Sequence, residues 1–313
     1  MPRSARYKSS ESTFYHLLNR VAGEVTDYPF QRPYVARRFL AVFEFYLRLY
    51  FCRLASFSLL GNHYHAVVYV PQFRQLDRPQ LHERARLRFG RLWRLKTRSW
   101  KDSDWSRFNQ SLFDVSCFMQ HVNGEFSKWY NRRHRRRGPF WAERFKNPEL
   151  LDREALQRTI LYCELNAVRA GLVPRPEDYK LSSAHWRWRG KKSDLLIPLE
   201  ELFDPLAQQT VFCTYRSLLY HYGAVAPREG QRVIAASILQ QEQQRGFAPP
   251  GLFLQPFRFF TDGLALGSHA LVFRRLQQYR QKGWYRRRRH PIAQLDGRLF
   301  SLREQRSHAF CPG

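Results

Sequence analysis

Acidic residues are scarce in this sequence. Asp and Glu number 26 against 53 Lys and Arg in 313 residues, giving a formal net charge of +27. That shortage excludes a surface neutralised by its own acids and points to a polyanionic partner, nucleic acid before membrane surface. Cysteine is sparse as well. Cys52, Cys117, Cys163, Cys213 and Cys311 are odd in number and scattered, with no CxxC pair. This argues against a disulfide scaffold and against a thiolate zinc site, and it fits a reducing compartment. No apolar run is long enough to span a bilayer, and the start, MPRSARYKSS, lacks the apolar stretch of a secretory signal. A cytoplasmic location is the expectation. No internal repeat is visible.

Apolar residues are plentiful, at 43% of the chain, so a packed core is expected. Aromatics make up 16%, a supply that suits base stacking as well as packing. Residues 12–21, STFYHLLNRV, alternate as a first strand. Residues 32–49 take helical spacing, with Val35, Phe39, Val42, Phe43 and Tyr46 on one side. Residues 50–57 lead through a short turn into LLGNHYHAVVYV, Leu59 to Val70. This segment reads as a strand bounded by Gly-Asn and Pro71. The strand, helix, strand, strand order makes the two later strands antiparallel neighbours. Side chains alternate along a strand, so His63 and His65 share one face and Tyr64 takes the other. Two imidazoles on one face are either a packing feature or part of a metal site.

A basic helix is expected over 81–101, almost without acids, and an amphipathic one over 111–131. Arg132-Arg133-His134-Arg135-Arg136-Arg137 then stands before Gly138-Pro139, a plausible phosphate grip. FWAERF, 140–145, is expected as a short last strand. Residues 152–170 return to helical spacing, closed by Gly171 at C′. On that helix Leu156, Ile160, Cys163 and Ala167 form one apolar face, and Leu161, Leu165 and Val168 a second. Arg158, Tyr162, Asn166 and Arg169 share a polar stripe between them. Tyr162 and Asn166 are four apart, hence neighbours. His63, His65 and Asn166 could supply an open set of ligands to a divalent ion, with Tyr162 beside a bound phosphate. A tyrosine on a helix is more often a packing residue, and that reading of Tyr162 stays open. A boundary is expected near 190–195, followed by helical stretches over 206–222, 231–245 and 268–281 and a second basic run, Arg286 to Arg289.

These residues resemble a known family. His63-Tyr64-His65 is similar to the His-hydrophobic-His motif of HUH single-strand nucleases. ILYCELNAVRAGLV resembles the segment Tyr-x-x-x-Asn-Pro-Val-Arg-Ala-Gly, through Tyr162, Asn166, Val168, Arg169, Ala170 and Gly171. NRRHRRRGPFWAERFK resembles the segment before it, with Asn131, Gly138, Trp141, Arg144 and Phe145 in register. Over 12–186 the likeness is to single-tyrosine HUH transposases, most closely the REP-associated tyrosine transposases. It implies a ferredoxin-like (RRM-like) α/β fold, an antiparallel sheet with helices on one face, in a catalytic domain of residues 1–190. Residues 191–313 would be a basic, mostly helical accessory region. It also implies Tyr162 as nucleophile, and His63, His65 and Asn166 as ligands of Mg²⁺ or Mn²⁺. The substrate would be single-stranded DNA beside a palindromic hairpin, cleaved through a 5′-phosphotyrosine by a monomer or homodimer. DNA contacts are expected at Arg132, Arg133, Arg135, Arg136, Arg137, Arg144 and Arg169, and less strongly at Arg286 to Arg289. The chain departs from the family pattern at Leu60-Gly61, where Met-Pro is common. It departs again at Ala167, which replaces Pro and is expected to let the helix continue. Two other readings stay open: a hairpin-binding protein that does not cleave, and a nucleophile at Tyr130 with His134 one turn later as its helper.

Overall fold

A computed structural model describes residues 9–23, 28–190, 195–205, 209–225, 231–246, 264–283, 290–293 and 298–302. The basic run Arg286 to Arg289 lies outside the described residues. In order, the elements are β1 (Thr13–Arg20), α1 (Pro33–Leu49), β2 (Arg53–Leu59), β3 (His63–Val70), α2 (Arg78–Phe89), α3 (Trp93–Thr97), α4 (Asp102–Ser111) and α5 (Val115–Arg133). Then come β4 (Glu149–Leu150), α6 (Arg153–Glu164), α7 (Asn166–Arg169), α8 (Ser183–Trp188), α9 (Leu199–Leu202), α10 (Val211–Gly223) and α11 (Ala236–Gln244). The last are β5 (Ala265–Gly267), α12 (His269–Gln281), β6 (Ile292–Ala293) and β7 (Phe300–Ser301). No helix among the described residues is long and apolar enough to cross a membrane.

The strands form one open, mostly antiparallel sheet in the order β2-β3-β1-β4-β5-β7-β6. Its first four strands pair antiparallel throughout. β4 then pairs parallel with β5, so the sheet runs past residue 190 into the C-terminal third. Ala55 is an extra residue in β2, because Leu54 faces Val68 while Ser56 faces Val67.

Helices cover both faces of the sheet, where the resemblance implied one. The reason lies in the strands, which are buried on both sides: nearly every residue of β2 and β3 is buried, with polar Ser56, Ser58 and His65 among them. On one face Tyr64, Ala66, Val68 and Val70 join Phe57 and the α1 and α5 residues Phe39, Phe43, Phe118 and Phe126. On the other, Ala55 and Val67 pack with Leu156, Ile160 and Leu161 of α6 and Leu218 and Leu219 of α10. Tyr64 anchors the strand from the face opposite the histidines, against Phe39 at 5.0 Å between rings.

Three expected elements take a different form. The 81–101 helix breaks at Gly90, whose φ of +57° ends α2 and starts a short 3-10 turn. FWAERF is not a regular strand. Trp141 makes an isolated bridge to Val21, just past β1, and Lys146 one to Leu18 of β1; the strand beside β1 is Glu149–Leu150 instead. The helix expected over 152–170 is interrupted at Leu165, giving α6 and then α7. At the break the Asn166 amide Nδ2 donates to the Cys163 carbonyl at 3.4 Å, a side chain taking over a carbonyl from the backbone ladder. Gly171 does stand at C′ with φ +69°, and its N–H donates to Val168 O at 2.8 Å.

Candidate functional site

The site grows from the register of three strands. Leu18 of β1 faces His65 of β3, and Arg20 faces His63. His16, two residues before Leu18, therefore lies on the histidine face. Its Nε2 is 2.9 Å from His65 Nδ1, one ring donating to the other, and the two rings stack at 5.1 Å. α6 covers this face. Asp152 fixes the start of α6 by accepting from Ala155 N at 2.8 Å. The buried Glu164 fixes its end. Glu164 accepts from Ser183 Oγ at 2.5 Å, from Ser56 Oγ of β2 at 3.3 Å and from the Tyr215 hydroxyl of α10.

Held in this way, α6 brings two consecutive residues to the histidines. Cys163 Sγ lies 3.5 Å from His16 Nε2. The Tyr162 ring stands edge-on to His65 at 5.6 Å between centroids and to His16 at 6.1 Å. His63 and His65 are themselves perpendicular at 5.3 Å. His63 Nδ1 is 2.8 Å from Asn62 Oδ1, an acceptor, so Nδ1 carries the proton and Nε2 keeps its lone pair. Asn166 is half-buried; its amide goes to the Cys163 carbonyl, and no hydrogen bond joins it to His63 or His65.

The expected polar stripe of α6 and α7 is largely sequestered. Arg158 is buried and paired with Glu154. Arg169 is only 6% exposed. Its guanidinium sits over the rings of Tyr162 at 5.3 Å and Tyr222 at 5.7 Å. None of its three nitrogens has a hydrogen-bond partner among the described residues. A buried cation without a carboxylate or a hydrogen-bond acceptor among the described residues is costly.

Burial, and then the Arg20 charge, lower the pKa of His63 to about 4. Burial, with His16 and His63 alongside, holds His65 well below its ordinary value. Both imidazoles are therefore neutral at neutral pH, with lone pairs for a metal. Burial and the Glu164 charge push the Cys163 thiol up. Burial lowers the Arg169 pKa, opposed by the Tyr222 and Tyr162 phenols.

His16, His65 and Cys163 offer three donor atoms within 4.8 Å of one another, a group that could bind a metal ion. No carboxylate joins them among the described residues. Neither His16 nor Cys163 stood out in the sequence. Finding His16 required the register of β1 on β3, and Cys163 counted as core on its helix wheel.

The arginine segment borders the same end of the sheet. Arg132, Arg133, Arg135, Arg137 and Arg144 are exposed and Arg136 half-buried. Past them, Ala142 N donates to Arg20 O at 2.9 Å, next to the strand end that faces His63. Tyr130 is buried in an aromatic cluster, 4.1 Å from the stacked His134 ring and 4.5 Å from Phe140.

No family model matches this chain, and no curated protein matches it. Among solved structures, a REP-associated tyrosine transposase bound to a REP hairpin aligns with a TM-score of 0.41 and 13% identity. The alignment covers 67% of this chain and 98% of that one. A likeness at that level leaves the reading of the site to the chain's own residues.

Proposed function

We propose that this chain is a metal-dependent single-stranded DNA endonuclease and strand transferase of the single-tyrosine HUH transposase class, acting beside DNA hairpins. The observation that carries the reading is the meeting of Tyr162 with the histidine face, 5.6 Å from His65, under the Arg169 guanidinium, which has no hydrogen-bond partner among the described residues. The motif resemblance around His63-Tyr64-His65 and Tyr162 to Gly171 supports it. So does the order β2-β3-β1-β4, all antiparallel, for a ferredoxin-like first part. Residues 1–190 would hold the chemistry and 191–313 a basic accessory region.

In this reading His63, His65 and Asn166 hold Mg²⁺ or Mn²⁺, which when bound neutralises phosphate charge in the transition state. Tyr162 Oη attacks phosphorus in an unpaired strand. The Oη–P bond forms as the bond to the 3′-oxygen breaks; the phenol loses its proton and the leaving oxygen gains one. The products are a 5′-phosphotyrosyl link and a free 3′-OH, and a second 3′-OH reverses the step. Arg169 donates to a phosphate oxygen, while Arg132, Arg133, Arg135, Arg136, Arg137 and Arg144 grip the backbone of the hairpin.

The test is incubation of the full chain with labelled hairpin oligonucleotides and Mn²⁺. The wild type is expected to cut one strand and form a covalent adduct, and Tyr162→Phe to bind without doing either. Cleavage with adduct formation by Tyr162→Phe would refute the assignment. Tight, salt-sensitive binding by the wild type with no cleavage would leave a hairpin-binding protein in its place.

A further inference from the structure

His16, His65 and Cys163 belong to three different elements, β1, β3 and α6, and nothing in the proposed reaction uses His16 or Cys163. All three are buried, at 0%, 4% and 0% exposure. We propose that they form a zinc site that pins the tyrosine-bearing helix to the sheet.

The separations lie near those of such an ion, with all three donor atoms within 4.8 Å of one another. Zinc binds imidazole nitrogen at about 2.0–2.1 Å and thiolate sulfur at about 2.3 Å in a tetrahedral arrangement. From those lengths, ligand nitrogens should stand about 3.3 Å apart, and nitrogen and sulfur about 3.6 Å apart. Cys163 Sγ and His16 Nε2 stand 3.5 Å apart. His16 Nε2 and His65 Nδ1, at 2.9 Å, need to open by a few tenths of an ångström. Hydrogen bonding without a metal asks the single nitrogen His16 Nε2 to serve both neighbours, whereas an ion accepts a lone pair from each.

The donor types also select the ion. Two imidazoles and a thiolate form a borderline-soft set that favours zinc and disfavours Mg²⁺. Three protein ligands leave one coordination position open. His65 reaches this site through Nδ1. A neutral imidazole has a single lone-pair nitrogen, so filling this site and that of the proposed reaction together requires His65 to give up its ring proton and bridge the two ions as an imidazolate. The zinc site runs against the expectation, drawn from the missing CxxC pair, that no thiolate joins a zinc site. One thiol and two histidines from distant parts of the chain carry no such spacing signature.

The inference does not depend on the nuclease reading, and its test reads the metal alone. The purified full chain, stripped with chelator and titrated with Co²⁺, should bind one equivalent. It should show both the ligand-field bands of a four-coordinate ion and a thiolate-to-cobalt charge-transfer band, and Zn²⁺ should displace them. Cys163→Ser should lose the charge-transfer band, while Cys117→Ser and Cys213→Ser keep it. X-ray absorption of the zinc-loaded wild type, which needs no variant to fold, should find one sulfur and at least two imidazole nitrogens around the ion. Removing zinc from a saturated sample should lower Tm by roughly 10 °C. A folded wild type without a charge-transfer band, a band surviving Cys163→Ser, or a zinc shell without sulfur each overturns the proposal. Strand cleavage by a protein with no thiolate-bound metal would leave the proposed function intact while this inference fails.

Discussion

Replacing Arg169 with methionine separates stability from function in a way that few core substitutions do. The guanidinium is 6% exposed, and none of its three nitrogens is hydrogen-bonded among the described residues. Its electrostatic neighbours are the phenols of Tyr222 and Tyr162 and the Cys163 thiol, with no carboxylate among them. Taking an ion of this size out of water costs several kcal/mol after relaxation. The two ring contacts return about 0.5–2 kcal/mol each. Methionine keeps the length and the packing of the stem while removing the charge. Arg169→Met should therefore stabilise the DNA-free protein by about 1–3 kcal/mol, seen as a rise in Tm of about 2–8 °C. If Arg169 donates to phosphate as proposed, the same change removes a charge-assisted bond worth about 1.5–3 kcal/mol, or roughly 10- to 100-fold in affinity. Calorimetry without DNA and anisotropy with a labelled hairpin measure the two arms. A variant that loses more than about 1 kcal/mol of stability and binds DNA normally would show that Arg169 is a paired structural residue, and the argument for an anion beside Tyr162 would fall.

Other expectations follow from the same geometry. If Arg132 and Arg135 each contact a phosphate, changing both to Gln should flatten the slope of log affinity against log salt by about 0.7 per contact on a single strand. Glu164→Gln brings an amide donor to a group that accepts from Ser183, Ser56 and Tyr215 and stands 3.8 Å from Arg187. It should cost about 2–4 kcal/mol in denaturant unfolding, and an unchanged midpoint would contradict the role given to Glu164. His121 should make the fold acid-sensitive. Burial, and then Arg88, lower its pKa in the folded chain, and its Nε2 faces the Arg88 guanidinium at 2.9 Å. Glu125 opposes that shift and Lys128 adds to it. The unfolded chain takes up this proton as pH falls through about 6.5 while the folded chain resists. Stability is thus held above that pH and lost below it, and His121→Gln should make the fall of Tm between neutral and acidic pH shallower.

The framework of the fold is legible wherever one side of an element has a single neighbour. β1 follows from alternation, β3 from its Val- and Tyr-rich run between Gly61-Asn62 and Pro71, and α1 from its apolar stripe of Val35, Phe39, Val42, Phe43 and Tyr46. Alternation also put Tyr64 opposite the histidines, where it packs on Phe39. Legibility stops where a second partner decides. β3 is buried on both faces, and its sequence alone does not say that α6 and α10 cover the histidine side. The break at Leu165 depends on a side chain taking the Cys163 carbonyl, and helical periodicity carries no trace of it. His16 and Cys163 look like ordinary members of a strand and a core helix. They become neighbours of His65 only through a strand register and a helix docking set by Glu164, both long-range. Tyr162 and Arg169 were visible as members of one stripe, but the burial of the guanidinium was not.

The central claim is that Tyr162 forms the bond to DNA. It is tested most directly by digesting the protein after reaction with a hairpin oligonucleotide and Mn²⁺, then locating the phosphotyrosyl peptide by mass spectrometry. The account predicts the nucleotide on Tyr162, within the peptide that spans Thr159 to Arg169. Attachment at Tyr130 or any other residue, or cleaved DNA with no protein adduct, would contradict it.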